Sequence, residues 1–326
     1  MDAFIFAVNA VLPIIIMVAA GYFLKRIGIL GVSIAKAMNK VVFKLLLPCM
    51  LFLNVYKIKS IWGFDFGYVW FGMAMTLAVF ILGIPLCMLV TKKNEQRGVL
   101  LQAVFRSNYA LIGIPLATSL YGEEGSIIAT LLSAFSIPLY NILAVTCLTV
   151  FGEGGKFDVK KIVFGIIKNP LIRSILLGCV CLVIRAAFEK NGIDFRLTDL
   201  TPLYSVLEQL SKTAVPVALL MLGAEFELSA VPTLKKQIVF GSLMRVLIVP
   251  SVGLLTAYLI GAFDGAHFAA FIALFATPVA VSSVPMAQEM GGDSTLAGQL
   301  VVWTTVASAF TIFFFSFVLR AVGIFA

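Results

Sequence analysis

The chain is poor in charge and almost without histidine. Only 12% of its 326 residues are Asp, Glu, Lys or Arg, and His267 is the one histidine. A globular domain in water carries about twice that share of charge, so an ordinary soluble fold is excluded. His267 has no cysteine or second histidine near it in sequence. The five cysteines (Cys49, Cys87, Cys147, Cys179 and Cys181) stand inside apolar stretches without metal-ligand spacing. They read as small buried hydrophobes, and no metal site is expected. The sequence also lacks an HExxH motif, a Ser/Lys or Asp/Asp dyad on matched segments, and any histidine cluster. An enzyme is therefore not indicated. No polar stretch is long enough for a soluble domain. The first apolar stretch is long and has neither a basic leading region nor an A-x-A site, so a cleaved signal peptide is not expected.

What the chain has in abundance is apolar sequence. Hydrophobic residues make up 61%, and the mean hydropathy is +1.07. A bilayer crossing needs about 20 such residues. Ten segments qualify: 4–24, 38–56, 66–90, 99–120, 126–151, 166–187, 203–223, 238–260, 267–289 and 296–322. The reading is an all-α polytopic protein with ten transmembrane helices. The net charge of +8 invites a nucleic-acid partner, but no basic, aromatic face is present. The bases lie in short loops, where they orient a chain in a membrane. One alternating set of loops holds twelve: Lys25, Arg26, Lys36, Lys92, Lys93, Arg97, Lys156, Lys160, Lys161, Lys168, Lys235 and Lys236. The other holds six: Lys57, Lys59, Arg185, Lys190, Arg196 and Arg320. The richer set belongs in the cytoplasm, which places both termini outside a cell membrane.

The chain repeats itself. AVFRSNYALIGIPLATSLYGEEG (103–125) aligns without gaps on ALFATPVAVSSVPMAQEMGGDST (273–295), so that Pro115 meets Pro285. LPCMLFLNV (47–55) pairs with VPVALLMLG (215–223), and a Pro-x7-Gly frame recurs as Pro13/Gly21 and Pro170/Gly178. The three matches keep their order. They predict a 5+5 inverted repeat: 1–151, a cytoplasmic linker 152–165, and 166–326. Inverted repeats with interrupted helices at matched positions mark secondary transporters and their sites.

Spans four and nine are the interrupted pair. Gly113 and Pro115, and Ser282, Ser283 and Pro285, predict breaks there. Irregular backbone at membrane depth must line protein or water. A break near Ile114–Pro115 and Val284–Pro285 would aim two helix N-termini at one point, and such termini favour anions. Candidate substrate-binding residues are therefore Asn108, Ile112, Gly113, Ile114, Pro115, Tyr140, Asn141, Val281, Ser282, Ser283, Val284 and Pro285. Lys44, Arg106, Glu208 and Lys212 are candidate charge partners. Arg106 can attract an anion or snorkel to the interface, and Glu208 and Lys212 stand at pair spacing on one helix. Arg245 and Arg173 read as interfacial. Span nine has no carboxylate between Ala270 and Gln288, so a proton or sodium ion can couple transport but neither is assigned a residue. No other cofactor is expected.

The frame N-x4-G-I-P-L (108–116), P-x-A-L-x-x-L-G (216–223) and the run LVVWTTVASAFTIFFFSFVLR resemble the auxin efflux carrier family. That family includes the plant PIN-type carriers and bacterial permeases for malate or malonate. The resemblance covers essentially the whole chain. It implies a fold like that of sodium/proton antiporters and bile-acid symporters, with broken helices 4 and 9 crossing at their prolines. It also implies scaffold helices 1, 2, 6 and 7, transport helices 3–5 and 8–10, and an organic anion held at the crossing. Asn108 matches an asparagine that contacts substrate in the plant carriers. The chain lacks their long cytoplasmic loop and has its own Ser282–Ser283. The expectation is a secondary transporter for a small carboxylate, a dicarboxylate such as malate or malonate included, working by alternating access. The alternative is a substrate-sensing membrane protein of the same fold that moves nothing. The bilayer surrounds it, and small residues in ILLGCVCLVI (175–184) suit a homodimer through the scaffold helices.

Overall fold

In the computed structural model, residues 2–57, 66–152, 164 and 167–325 are described. The predicted linker 152–165 lies almost wholly outside them, as do Lys59, Lys156, Lys160 and Lys161. The described chain is helical apart from one isolated antiparallel bridge. In order the helices are α1 (Asp2–Arg26), α2 (Val32–Tyr56), α3 (Gly67–Val90), α4 (Asn94–Phe105), α5 (Tyr109–Phe151) and α6 (Pro170–Lys190). They continue with α7 (Thr201–Glu225), α8 (Leu228–Ile260), α9 (Gly265–Phe275), α10 (Ser283–Glu289) and α11 (Ser294–Ala321). Among the described residues, seven are long and apolar enough to cross a membrane: α2, α3, α5, α6, α7, α8 and α11.

Prolines shape these helices without simply breaking them. Three stretches widen into a π-helical turn: Val42–Leu46, Tyr109–Gly113 and Met244–Ile248. Each ends two residues before a proline, at Pro48, Pro115 and Pro250. A proline ring clashes with the carbonyl four residues back and cannot donate to it. A π turn moves that carbonyl out of register, so the helix continues through the proline. The real bend in α5 is elsewhere. Gly122 has φ +60° and ψ −146°, beside Tyr121 at φ −142°. Only glycine takes that conformation cheaply, and it divides α5 into 109–120 and 123–151.

Burial separates the helices by role. α9 is buried along its length apart from His267. It is apolar on every face because every face meets protein. α3 instead shows Ile81, Leu82 and Leu89 at the surface, as α6 shows Leu177, Val180 and Val183. Such exposed apolar side chains suit lipid. Glycines let two helix pairs close up. A Cβ on Gly21 would strike the Leu220 carbonyl, and one on Gly223 would strike the Val18 carbonyl, so α1 and α7 touch backbone to backbone. Gly178 of α6 sits likewise against Phe52 and Val55 of α2. Substituting Gly223→Ala forces α1 away from α7 and should cost about 1–3 kcal/mol. A fall in the thermal unfolding midpoint of the purified protein checks this, and an unchanged midpoint would refute the close contact.

Candidate functional site

Two helices end in the interior without reaching the far side of the bundle. α4 stops at Phe105, and Arg106, Ser107 and Asn108 run on as unwound chain. α9 stops at Phe275, and residues 276–282 separate it from α10. The two unwound stretches cross. Ser107 and Val279 form the antiparallel bridge, and the Asn108 amide donates to the Pro278 carbonyl at 2.7 Å. The Val279 amide donates to Thr304 Oγ1 on α11 at 3.1 Å. The breaks thus lie before the positions predicted from Pro115 and Pro285. The π turn at Tyr109–Gly113 absorbs Pro115, and the chain unwinds just before that turn, at 106–108.

Arg245 holds the crossing. Its guanidinium is fully buried. Nε donates to the Thr277 carbonyl at 2.9 Å, Nη1 to those of Val104 and Phe105 at 3.3 and 3.2 Å, and Nη2 to those of Leu274 and Phe275 at 2.8 Å each. Five N–H groups therefore meet five carbonyls, from the C-terminal ends of both α4 and α9. A helix C-terminus carries about half a negative charge, so one cation balances two of them. Arg245 is not interfacial as the sequence suggested. It sits in the π turn of α8, which faces inward there.

Arg106 points to the opposite use of charge. It is buried, and its guanidinium donates to Asn141 Oδ1 at 3.0 Å, Ser282 Oγ at 2.8 Å and the Met286 sulfur. All three acceptors are neutral, and among the described residues no carboxylate is bonded to it. Arg106, Ser107, Asn108, Tyr140, Asn141 and Ser282 line a recess of about 50 Å³. The recess shares Met50, Asn54, Asn108, Ala110 and Ser282 with a cavity of about 730 Å³. That cavity runs between the crossing and Pro13, Ile14 and Met17 of α1 and Ser211, Lys212 and Val215 of α7. Its walls are mostly apolar. Asn108 Nδ2 is buried there with no partner among the described residues, as is the Oγ of Ser283, next to Ser282 in the chain.

The structure brings together part of the predicted set. Asn108, Pro115, Tyr140, Asn141, Val281, Ser282, Arg106 and Lys212 line the recess or the cavity. Ile112, Gly113, Ile114, Ser283, Val284 and Pro285 do not. Ile112, Gly113, Ser283, Val284 and Pro285 are buried in packing around the crossing. Lys44 is exposed and lines neither space. Glu208 pairs with Lys212 at 3.2 Å and with Lys57 at 3.3 Å, which makes an ion-pair cluster at the rim. The paired helix N-termini are also revised. α10 has only seven residues, and the amides of Ser283 and Val284 already donate to the Ala280 and Val281 carbonyls. Positive charge at the crossing comes from Arg106 instead. Sequence reading missed Ser107 and Asn54, and it missed the role of Arg245. An arginine inside the apolar run SLMRVLIVP was the available signal.

A family model described as "Membrane transport protein" matches residues 6–316. The chain belongs to this auxin efflux carrier family. It is therefore a multi-pass membrane protein of a transporter family, and no catalytic family is indicated. An uncharacterized transporter of Methanothermobacter thermautotrophicus is 23% identical over 323 residues, covering 97% of this chain and 99% of the relative. One from Methanocaldococcus jannaschii is 29% identical over 224 residues, covering 66% of this chain and 67% of the relative.

If Arg245 closes both helix ends of this carrier, lysine cannot replace it. A lysine has three N–H donors against five, so at least two buried carbonyls lose their partners. Arg245→Lys should cost about 2–5 kcal/mol and Arg245→Met more, at about 1–3 kcal/mol for each buried group left unmade. Thermal unfolding and monodisperse yield in detergent measure this. A variant Arg245→Met as stable as the parent would contradict the assignment.

Proposed function

We propose that the protein is a secondary transporter for a small organic anion, a carboxylate, held at the crossing and moved by alternating access. The observation that carries this reading is Arg106. It is a buried cation in the wall of the recess that joins the cavity, with only neutral partners among the described residues. Beside it Asn108 Nδ2 is a buried donor with no acceptor among the described residues. A carboxylate supplies what both lack, a charge-assisted hydrogen bond to the guanidinium and an acceptor for the amide. The apolar walls suit the carbon skeleton of such an acid. Dicarboxylates such as malate or malonate fall within this class.

The architecture fits a two-part carrier. Counting α4 with 109–120 as one interrupted span, 123–151 as the next, and α9 with α10 as another gives ten crossings. They form two halves, 1–151 and 166–326, that enter from opposite sides. Two features support the repeat. The unwound stretches at 106–108 and 276–282 are partners in it. Gly21 of the first span packs on the seventh, as Gly178 of the sixth packs on the second. α1, α2, α6 and α7 then make the scaffold, and the remaining helices carry the crossing. With the base-rich loops in the cytoplasm of a plasma membrane, the cavity opens outward.

Arg106→Gln and Asn108→Ala test the site. Loss of a hydrogen bond to a charged group costs about 1.5–3 kcal/mol, so Arg106→Gln should weaken carboxylate binding about 10- to 100-fold. Thermal-shift or calorimetric titration of the purified protein with a panel of mono- and dicarboxylates reads the affinity, and liposome uptake reads the flux. Unchanged affinity in both variants would remove the site from the crossing. Binding without flux would instead favour a sensor of the same fold.

A further inference from the structure

The far end of the bundle from the cavity mouth holds a half-buried carboxylate. Glu225 closes α7, 13 residues beyond Lys212, or roughly 20 Å along the helix. Its Oε2 accepts from Asn39 Nδ2 of α2 at 3.3 Å. The same Asn39 nitrogen donates to Gln288 Oε1 of α10 at 3.0 Å, and Gln288 Nε2 donates to the Lys36 carbonyl at 3.1 Å. These bonds join α2 and α7 to α10. They therefore cross the seam between the scaffold and the helices that carry the crossing.

The donors do not add up. Asn39 Nδ2 has two hydrogens, and both are spent. Two acceptors of the same cluster, Asn39 Oδ1 and Glu225 Oε1, are buried without a partner among the described residues. With Glu225 ionised the cluster is short of one donor. One proton on the Glu225 carboxyl supplies it, since a neutral carboxylic acid donates one O–H. The charged groups acting on Glu225 are Lys36 of α2 and Lys25 at the end of α1. α10 faces it with the neutral Gln288.

We propose that Glu225 is a proton-binding site that latches this seam. Protonated, it completes the hydrogen bonds between α2, α7 and α10, and the seam stays closed with the cavity open at the other end. Ionised, it leaves two buried acceptors bare, and the balance moves toward seam opening. The proton comes from solution on the seam side as the seam closes and returns there as it opens. The site therefore sets the conformational balance by the pH on that face. No net proton transport is required. This inference rests on the alternating-access reading, and its test uses no substrate.

The test is the labelling of one cavity residue. In a chain with its five cysteines replaced, Val215→Cys places a thiol on the cavity wall, where a membrane-impermeant maleimide reaches it only while the cavity is open. The rate is measured from about pH 5 to about pH 8 in this chain and in the same chain with Glu225→Gln. An amide mimics the protonated acid and does not titrate. Taking the ratio of the two rates at each pH cancels the chemistry of the thiol itself. The ratio should lie near one in acid and fall about tenfold toward the alkaline end, as one buried hydrogen-bond deficit permits. A ratio that does not change with pH overturns the proposal. If both chains respond to pH alike, another group is the sensor and alternating access stands. If neither responds to pH or to a bound carboxylate, the transport reading falls with it. Should Glu225→Gln fail to assemble, Glu225→Asp keeps the titrating group but draws it one methylene back from Asn39. Acid-side labelling should then drop several-fold, and unchanged labelling would again overturn the proposal.

Discussion

The fold depends on a way to end two helices inside a membrane protein. The last carbonyls of α4 and α9 have no partner within their helices, and at membrane depth protein groups must serve them. The Arg245 guanidinium serves both ends at once through five carbonyl contacts. Its charge also balances the two half-charges that meet there. Everything at the centre follows from that clamp. The chain can unwind at 106–108 and 276–282, the two stretches can pair through Ser107 and Val279, and α9 can stay buried on every face.

Because Arg245 is consumed by the backbone, the charge of Arg106 is left over. That surplus is the basis of the proposed chemistry. Two arginines lie close to one crossing in a low-dielectric interior. One is fully satisfied by carbonyls, and the other leans on an amide oxygen, a hydroxyl and a thioether. Lys212 at the rim carries an acidic partner, Glu208. Arg106 carries none among the described residues. Its surroundings instead hold a bare amide donor on Asn108 and a cavity wide enough for a small acid.

The sequence made the helices, the family and the interrupted pair legible, because apolar length and paired prolines are visible one residue at a time. It placed the break in span four about two turns too late, near Ile114–Pro115 rather than at 106–108. Gly113–Pro115 looks like a fracture in the sequence, yet a π turn at Tyr109–Gly113 lets the helix run through it. Nothing local distinguishes a proline met by a widened turn from one that ends a helix. Arg245 was visible but its role was not, since an arginine that snorkels and one that clamps backbone read alike without the partners, which come from α4 and α9 far away in sequence. Lys44 failed the other way. It lies a turn before Pro48, but the helix turns it outward. Asn39, Glu225 and Gln288 meet only in three dimensions, across more than half of the chain.

On the proposal above, the crossing recognises an ionised acid by its charge rather than by its shape. The most direct measurement compares a carboxylate found to bind with its neutral primary amide, which is nearly the same size. Binding of each to the purified protein is followed by calorimetry at one pH and salt concentration. The carboxylate should bind about 10- to 100-fold more tightly than the amide, the worth of one charge-assisted hydrogen bond. Equal affinity for the two would contradict it, because Arg106 would then play no part in choosing the ligand.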